Sequence, residues 1–180
     1  FPNATRSIRL NLSHNRLEQF TCTEQAYSYL HLVKELQLQY NSLRELEEEF
    51  LNKLVNCVHL NISHNTLETI HDTIASLGNC EILNLSYNNI SALNVQLVAE
   101  HLLALRVLNV SHNQLLELKI DINEEAQLAK LEEVYLDSND LTSLPLSLVT
   151  CRSLRVLSAS HNHIVSLPIT LGKQVESVFL

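Results

Sequence analysis

The chain is 180 residues long, the size of one ordinary domain, and can bury a sizeable core without disulfides or metals. Hydrophobic residues make up 46% but aromatics only 5%, so Leu, Ile and Val must supply that core, which suits stacked repeats better than interlocking rings. A net charge of −8 repels a phosphate backbone and an anionic lipid surface, which argues against nucleic acid, and no run of 18 or more apolar residues offers a membrane span.

Phe1 to Arg6 hold no apolar stretch of the signal-peptide kind. From Leu10 onward one phrase recurs: Leu10-Asn-Leu-Ser-His-Asn15-Arg-Leu17, Leu60-Asn-Ile-Ser-His-Asn65-Thr-Leu67, Leu83-Asn-Leu-Ser-Tyr-Asn88-Asn-Ile90 and Leu108-Asn-Val-Ser-His-Asn113-Gln-Leu115. Degenerate copies centre on Asn41, Asn139 and Asn162, so successive asparagines lie 26, 24, 23, 25, 26 and 23 residues apart. Ahead of each Asn an alternating apolar pair, such as Leu83 and Leu85, predicts a short strand with two side chains turned inward. Stacked in parallel roughly 4.8 Å apart, such strands align equivalent positions into columns. The segments returning between strands are predicted to be helical at Glu45 to Leu54 and Val95 to Leu103, which lack Pro and Gly. The steps Leu144-Pro145 and Leu167-Pro168 predict tighter returns. Val175, Val178 and Leu180 fit the first, fourth and sixth positions of an eighth copy, so the chain is expected to be part of a longer protein.

The seven copies of L-x-x-L-x-L-x-x-N-x-L-x-x-L make the chain resemble the leucine-rich-repeat family over essentially its whole length. The resemblance implies an α/β solenoid: a curved horseshoe with a parallel sheet on its concave side and helical, 3-10 or irregular segments on its convex side. Residues 1–180 would form one array of about seven repeats and the start of an eighth. It also implies that the anchor asparagines bond backbone groups of neighbouring turns, and that the function is to bind a protein or peptide on the concave face.

Counting back from each anchor gives the residues of that face. Six before come Arg9, Glu35, His59, Ile82, Val107, Glu133 and Val156; four before come Asn11, Gln37, Asn61, Asn84, Asn109, Tyr135 and Ser158; immediately before come His14, Tyr40, His64, Tyr87, His112, Ser138 and His161. The face reads as nearly neutral, rich in amides and imidazoles, with Ile82, Tyr87, Val107 and Tyr135 as its apolar and aromatic centre. Tyr offers contact area with a polar tip and amides offer hydrogen bonds, so the expected partner surface is Tyr40, His59, His64, Ile82, Tyr87, Val107, His112, Tyr135, Val156 and His161. Successive histidines of the last column stand two repeats apart, roughly 10 Å, too far to share a zinc ion; His59 and His64, on one strand, lack a third ligand. No cofactor or metal is expected. Imidazoles titrating near neutrality make the face a candidate for pH sensitivity.

Six N-x-Ser/Thr sequons occur, at Asn3, Asn11, Asn61, Asn84, Asn89 and Asn109, four of them by-products of the repeat phrase. Cys57 and Cys80 share the first core position of successive copies, and Cys22 and Cys151 lie in connecting segments. Scattered buried thiols favour a reducing compartment, hence an intracellular protein, against an extracellular or secreted alternative. Two glycines, Gly78 and Gly172, cannot build a phosphate-cradling loop, and no H-E-x-x-H, G-x-S-x-G or C-x-x-C occurs, so no enzymatic site is expected. His71-Asp72 reads as a capping pair, and Glu45, Glu47, Glu48 and Glu49 read as a solvated convex face. Two other functions stay open. Leu131 to Phe179 resembles the repeats of PH-domain leucine-rich-repeat protein phosphatases, which implies a recognition array for a catalytic domain outside this chain. The sequons fit a receptor or adhesion ectodomain.

Overall fold

Alternation of inward and outward residues produces the strands where the repeated phrase places them. The computed structural model describes residues 7–21, 23–94, 98, 100–118, 129–145, 148, 151–167 and 176–179. Its strands are β1 (Ile8–Asn11), β2 (Val33–Gln37), β3 (His59–Asn61), β4 (Ile82–Asn84), β5 (Val107–Asn109), β6 (Glu133–Tyr135), β7 (Val156–Ser158) and β8 (Ser177–Phe179). They form one sheet in chain order, every pair parallel. From Arg9 onward register follows the repeat residue for residue, after a shift at Ile8: Leu36 faces Leu60, Leu60 faces Leu83, and Leu83 faces Leu108.

That register merges the repeats into one core. Leu36, Leu60, Leu83, Leu108, Val134 and Leu157 form one buried column, and Leu38, Ile62, Leu85, Val110, Leu136 and Ala159 a second. Each fully buried Leu contributes about 1.5–3 kcal/mol relative to exposure. Cys57 and Cys80 are wholly buried where the sequence places them in the core, and their thiols are free. Their Sγ atoms donate to the carbonyls of His59 and Ile82 at 3.3 Å each. Burial pushes both thiols up to about 12, so neither is a thiolate at neutral pH. Cys22 lies outside the described residues.

The return segments follow their composition. A short helix, α1 (Glu24–Tyr27), is capped by the Thr23 hydroxyl. Glu45 to Leu54 contains the longer α2 (Glu48–Lys53), with Glu48 and Glu49 in its first turn and Lys53 in its last, each matched to the helix dipole. His71 caps the 3-10 turn Asp72–Ser76, its Nδ1 accepting the Thr73 N–H, as the capping reading of His71-Asp72 requires. Glu45, Glu48 and Glu49 are exposed, but Glu47 is half-buried and accepts the Tyr27 hydroxyl at 3.2 Å, so it belongs to the packing of the convex layer. Val98, Glu100 and His101 are helical; the other residues of 95–99 lie outside the described residues. After Leu144-Pro145 the Leu148 N–H closes a turn onto the Pro145 carbonyl, while Pro168, Val175 and Leu180 lie outside the described residues.

Turning the chain out of each strand leaves backbone groups that neither strand nor return segment can pair. The anchor asparagines satisfy them. Asn88, 6% exposed, accepts the Leu67 N–H of the preceding turn at 3.0 Å and donates to the carbonyls of Ile62 and Leu85. Asn41, Asn65, Asn113, Asn139 and Asn162 repeat the arrangement. A second device lies on the strand itself. The Oδ1 of Asn61 and of Asn84 accepts both the N–H and the hydroxyl of the serine two residues on. Repeat two has Gln37 and Gln39 instead, and the buried Oε1 of Gln39 has no hydrogen-bond partner.

Replacing Asn88 by Ala strands buried donors and acceptors and should cost about 1–3 kcal/mol in a denaturant titration; exposed Asn89→Ala should cost far less, and equal losses would contradict the anchor role. The double change Gln37→Asn with Gln39→Ser installs the missing Asn–Ser pair and removes the orphaned oxygen. It should raise stability by about 1 kcal/mol; a loss of stability would show that repeat two has adapted to its glutamines.

Candidate functional site

Leaving each strand demands one residue in the left-handed region, and that residue immediately precedes the anchor. His14, Tyr40, His64, Tyr87, His112, Ser138 and His161 all have φ between 53° and 59°. None is glycine, although the conformation favours it. Their N–H groups continue the inter-strand ladder: His64 donates to the Ser86 carbonyl at 2.9 Å and Tyr87 to that of Ser111 at 2.9 Å.

The shared backbone conformation points the first five side chains the same way, and their rings stack. His14 lies on Tyr40 with centroids 4.4 Å apart, Tyr40 on His64 at 4.1 Å, His64 on Tyr87 at 4.1 Å, and Tyr87 on His112 at 4.0 Å, all within 14° of parallel. Imidazole and phenol alternate without interruption across five repeats. The column ends at Ser138, which has no ring, and His161 beyond it is exposed. Tyr40 and Tyr87 keep 45% and 44% of their surface in solvent, so the stack is a ridge rather than core. Its contacts contribute about 0.5–1.5 kcal/mol per aromatic pair beyond area burial.

Of the residues expected to form a partner surface, the structure therefore brings Tyr40, His64, Tyr87 and His112 into one contiguous column. His59, Ile82, Val107, Glu133 and Val156 face one another in register in a second column, with Ile82 exposed. Tyr135 joins neither: it is half-buried and donates its hydroxyl to Glu133 at 2.8 Å. Two repeats and three chain positions separate it from Tyr87, on the order of 14 Å, so Ile82, Tyr87, Val107 and Tyr135 do not make one cluster. His59 and His64 are not a ligand pair either. His64 lies beyond the end of β3, held between Tyr40 and Tyr87, whereas His59 approaches Glu35 at 4.0 Å. Among the described residues no group of three His, Cys, Asp or Glu side chains is placed to hold a metal ion.

Parallel register, the core columns and the asparagine anchors together define the repeat unit, and a family model described as "Leucine rich repeat" matches residues 31–90. Residues 31–90 thus carry the leucine-rich-repeat signature, and the fold of the described chain is that of a leucine-rich-repeat solenoid. Its fold is similar to that of a leucine-rich-repeat protein of Leptospira interrogans, with a TM-score of 0.70 and 26% identity over 95% of this chain and 48% of that one. An internalin of Listeria monocytogenes matches with a TM-score of 0.72 and 22% identity, over 92% of this chain and 46% of that one. The functional domain of InlJ from the same organism, described as including a cysteine ladder, matches with a TM-score of 0.72 and 18% identity, over 93% of this chain and 33% of that one. The chain thus spans less than half the length of these solved structures. No curated protein matches it. Leucine-rich-repeat modules typically bind proteins rather than catalyse reactions. Among the described residues no helix is long and apolar enough to cross a membrane.

One ionic feature of the sheet was legible only by column. Seven before the last four anchors stand Glu81, Arg106, Glu132 and Arg155, with Glu176 at the equivalent place before β8. Arg106 forms a bidentate pair with Glu132 at 2.9 and 3.0 Å and approaches Glu81 at 3.9 Å; Arg155 pairs with Glu176 at 3.1 Å. Alternating sign at the repeat period was the signal, visible once one position is followed from copy to copy.

The imidazole of His64 is held below its ordinary value of 6.5, first by partial burial between the two phenols and then by its fellow histidines His112 and His14. With the folded value depressed, the unfolded chain takes the proton first as pH falls. Stability from His64 is thus complete above about 6.5 and lost as pH drops towards the folded value. An NMR titration of His64 should give a midpoint below 6.5, and His64→Asn, which tolerates the left-handed backbone, should flatten the loss of stability on acidification. A midpoint above 6.5 would mean that cation–π attraction to Tyr40 and Tyr87 outweighs burial.

Proposed function

We propose that this array is a protein-interaction module whose partner lies across the concave face over β3, β4 and β5, with the ring column as its anchor. The observation that carries the reading is the exposed, preorganised ridge of five stacked rings. Binding energy at protein interfaces concentrates on rigid aromatic groups that lose water, and stacking has already removed much of the rotational freedom that such groups forfeit on binding. The convex side lacks a comparable feature among the described residues: its acidic groups are solvated or, like Glu47, used in packing. The free, buried thiols of Cys57 and Cys80 support an intracellular setting. A recognition array within a larger enzyme would use the same face, so the reading holds whatever is attached.

The experiment is capture of partners from a lysate, then affinity measurement on variants. Tyr87→Asn keeps a residue suited to the left-handed backbone while removing the ring, and should weaken a captured partner by about 2 kcal/mol or more. Joint reversal of exposed Glu45 and Glu49 to Lys should leave affinity within error. If the convex reversal abolishes binding and Tyr87→Asn does not, the concave-face reading is lost.

A further inference from the structure

The Asn–Ser pairs that stiffen the strands also decide what the concave floor offers a partner. In Asn61, Asn84 and Asn109 the side-chain atom facing the serine accepts a backbone N–H at 3.1, 3.0 and 3.0 Å, which identifies it as oxygen. The other amide atom is therefore the NH2 group. No hydrogen-bond partner occupies it among the described residues. The three residues are register partners on adjacent strands, so their NH2 groups form a row of donors spaced roughly 4.8 Å apart.

The outward residues of these three strands carry no negative charge of their own. Across β3, β4 and β5 the outward residues before each anchor are His59, Ile82 and Val107, then the three asparagines, then His64, Tyr87 and His112. None is a carboxylate. The flanking carboxylates of the face lie on the neighbouring repeats: Glu35 pairs with Arg9 at 3.1 Å, Glu133 accepts the Tyr135 hydroxyl, and Asp137 accepts from Ser158 at 2.6 Å and from Ser111 at 3.4 Å. A basic segment laid here would meet no carboxylate on these three strands, only the neutral acceptors of Tyr87 and the imidazoles. A carboxylate would find amide donors, phenol hydroxyls and three histidines, and hydrogen bonds to an ionised acceptor are the strong ones. From this polarity we propose that the window formed by β3, β4 and β5 recognises an acidic segment of the partner protein, its Asp or Glu carboxylates seated on the NH2 groups of Asn61, Asn84 and Asn109. This rests on the concave-face reading and adds the partner's chemistry. The chain's net charge of −8 does not oppose it, because charges beyond about 8–10 Å are largely screened at physiological salt.

The test uses three fluorescently labelled peptides, alternating Thr with Glu, with Gln or with Lys, and fluorescence anisotropy with the full chain at neutral pH and physiological salt. Asn84→Asp is the decisive variant: its carboxylate can still accept both Ser86 bonds, so the fold is kept while the outward donor becomes a negative acceptor. The Glu peptide should bind at least about tenfold tighter than the other two. Asn84→Asp and, independently, Asn109→Asp should each weaken it by about tenfold or more, with an unchanged melting temperature. Equal binding of the Gln peptide, or no binding of any of the three, would overturn carboxylate recognition. Tighter binding of the Lys peptide that Tyr87→Asn abolishes would overturn it while leaving the concave-face reading intact. Binding of the Glu peptide that neither Asn84→Asp nor Tyr87→Asn weakens would overturn both.

Discussion

A chain that leaves a parallel strand by a sharp turn must abandon its regular hydrogen bonds at the point where it is most buried, and must do so once per repeat. An unpaired buried amide or carbonyl costs about 1–3 kcal/mol, so an array of seven such turns is stable only if every turn is paired by something other than the strand. A carboxamide suits the position because it is donor and acceptor at once. Asn65 accepts from Leu43 of the turn before it and donates to Leu38 of that turn and to Ile62 of its own. Each anchor therefore ties two turns together. Asn15, with no described turn before it, bonds only within its own repeat and is exposed. The register of the sheet, and through it every column on its surface, depends on this repeated bond.

Once the register is set, any residue type that recurs at one position becomes a one-dimensional stack, and the two edges of this sheet use the fact differently. On the edge that leaves the strands, rings stack across the first five repeats; on the edge that enters them, charges of alternating sign run from Glu81 to Glu176 across the later ones. The two overlap only around repeats four and five. The ion pairs are exposed and add little, since solvent and salt screen them, but the ring column buries its faces pairwise and holds the same left-handed conformation in successive repeats without glycine. The cost of a ring-bearing residue in the left-handed region falls on each repeat, and contacts along the column offset it.

The repeat period, the strand positions, the inward columns and the anchors were all legible in the sequence, because each is a choice of residue type at a fixed spacing. The site was legible only by column. Listing His14, Tyr40, His64, Tyr87 and His112 as one position was possible from spacing, but their stacking depends on a backbone dihedral that spacing does not reveal. Tyr135 keeps the outward position of its column, in register with Asn109, but its hydroxyl bond to the Glu133 carboxylate two residues back could not be read from spacing. The asparagines of the floor were read as generic hydrogen-bonding amides and as sequons. The serine two residues after each one held the further signal, because its N–H, and at Asn61 and Asn84 its hydroxyl too, fixes the oxygen inward and turns the NH2 group out.

The polarity of the floor is thus a by-product of how the strands are stiffened. A carboxamide on a surface ordinarily offers both a donor and an acceptor and so discriminates weakly between partners. Turning the acceptor inward reduces that ambiguity, and doing so on three adjacent strands, fully at Asn61 and Asn84 and by one bond at Asn109, leaves a row of outward donors. Specificity is a difference between affinities, and a row that presents donors alone at three adjacent positions favours acceptor-bearing segments there. Where successive repeats keep the same residues, as β3, β4 and β5 do, the internal bond pattern recurs with them, so a local device for rigidity sets the chemistry of that window.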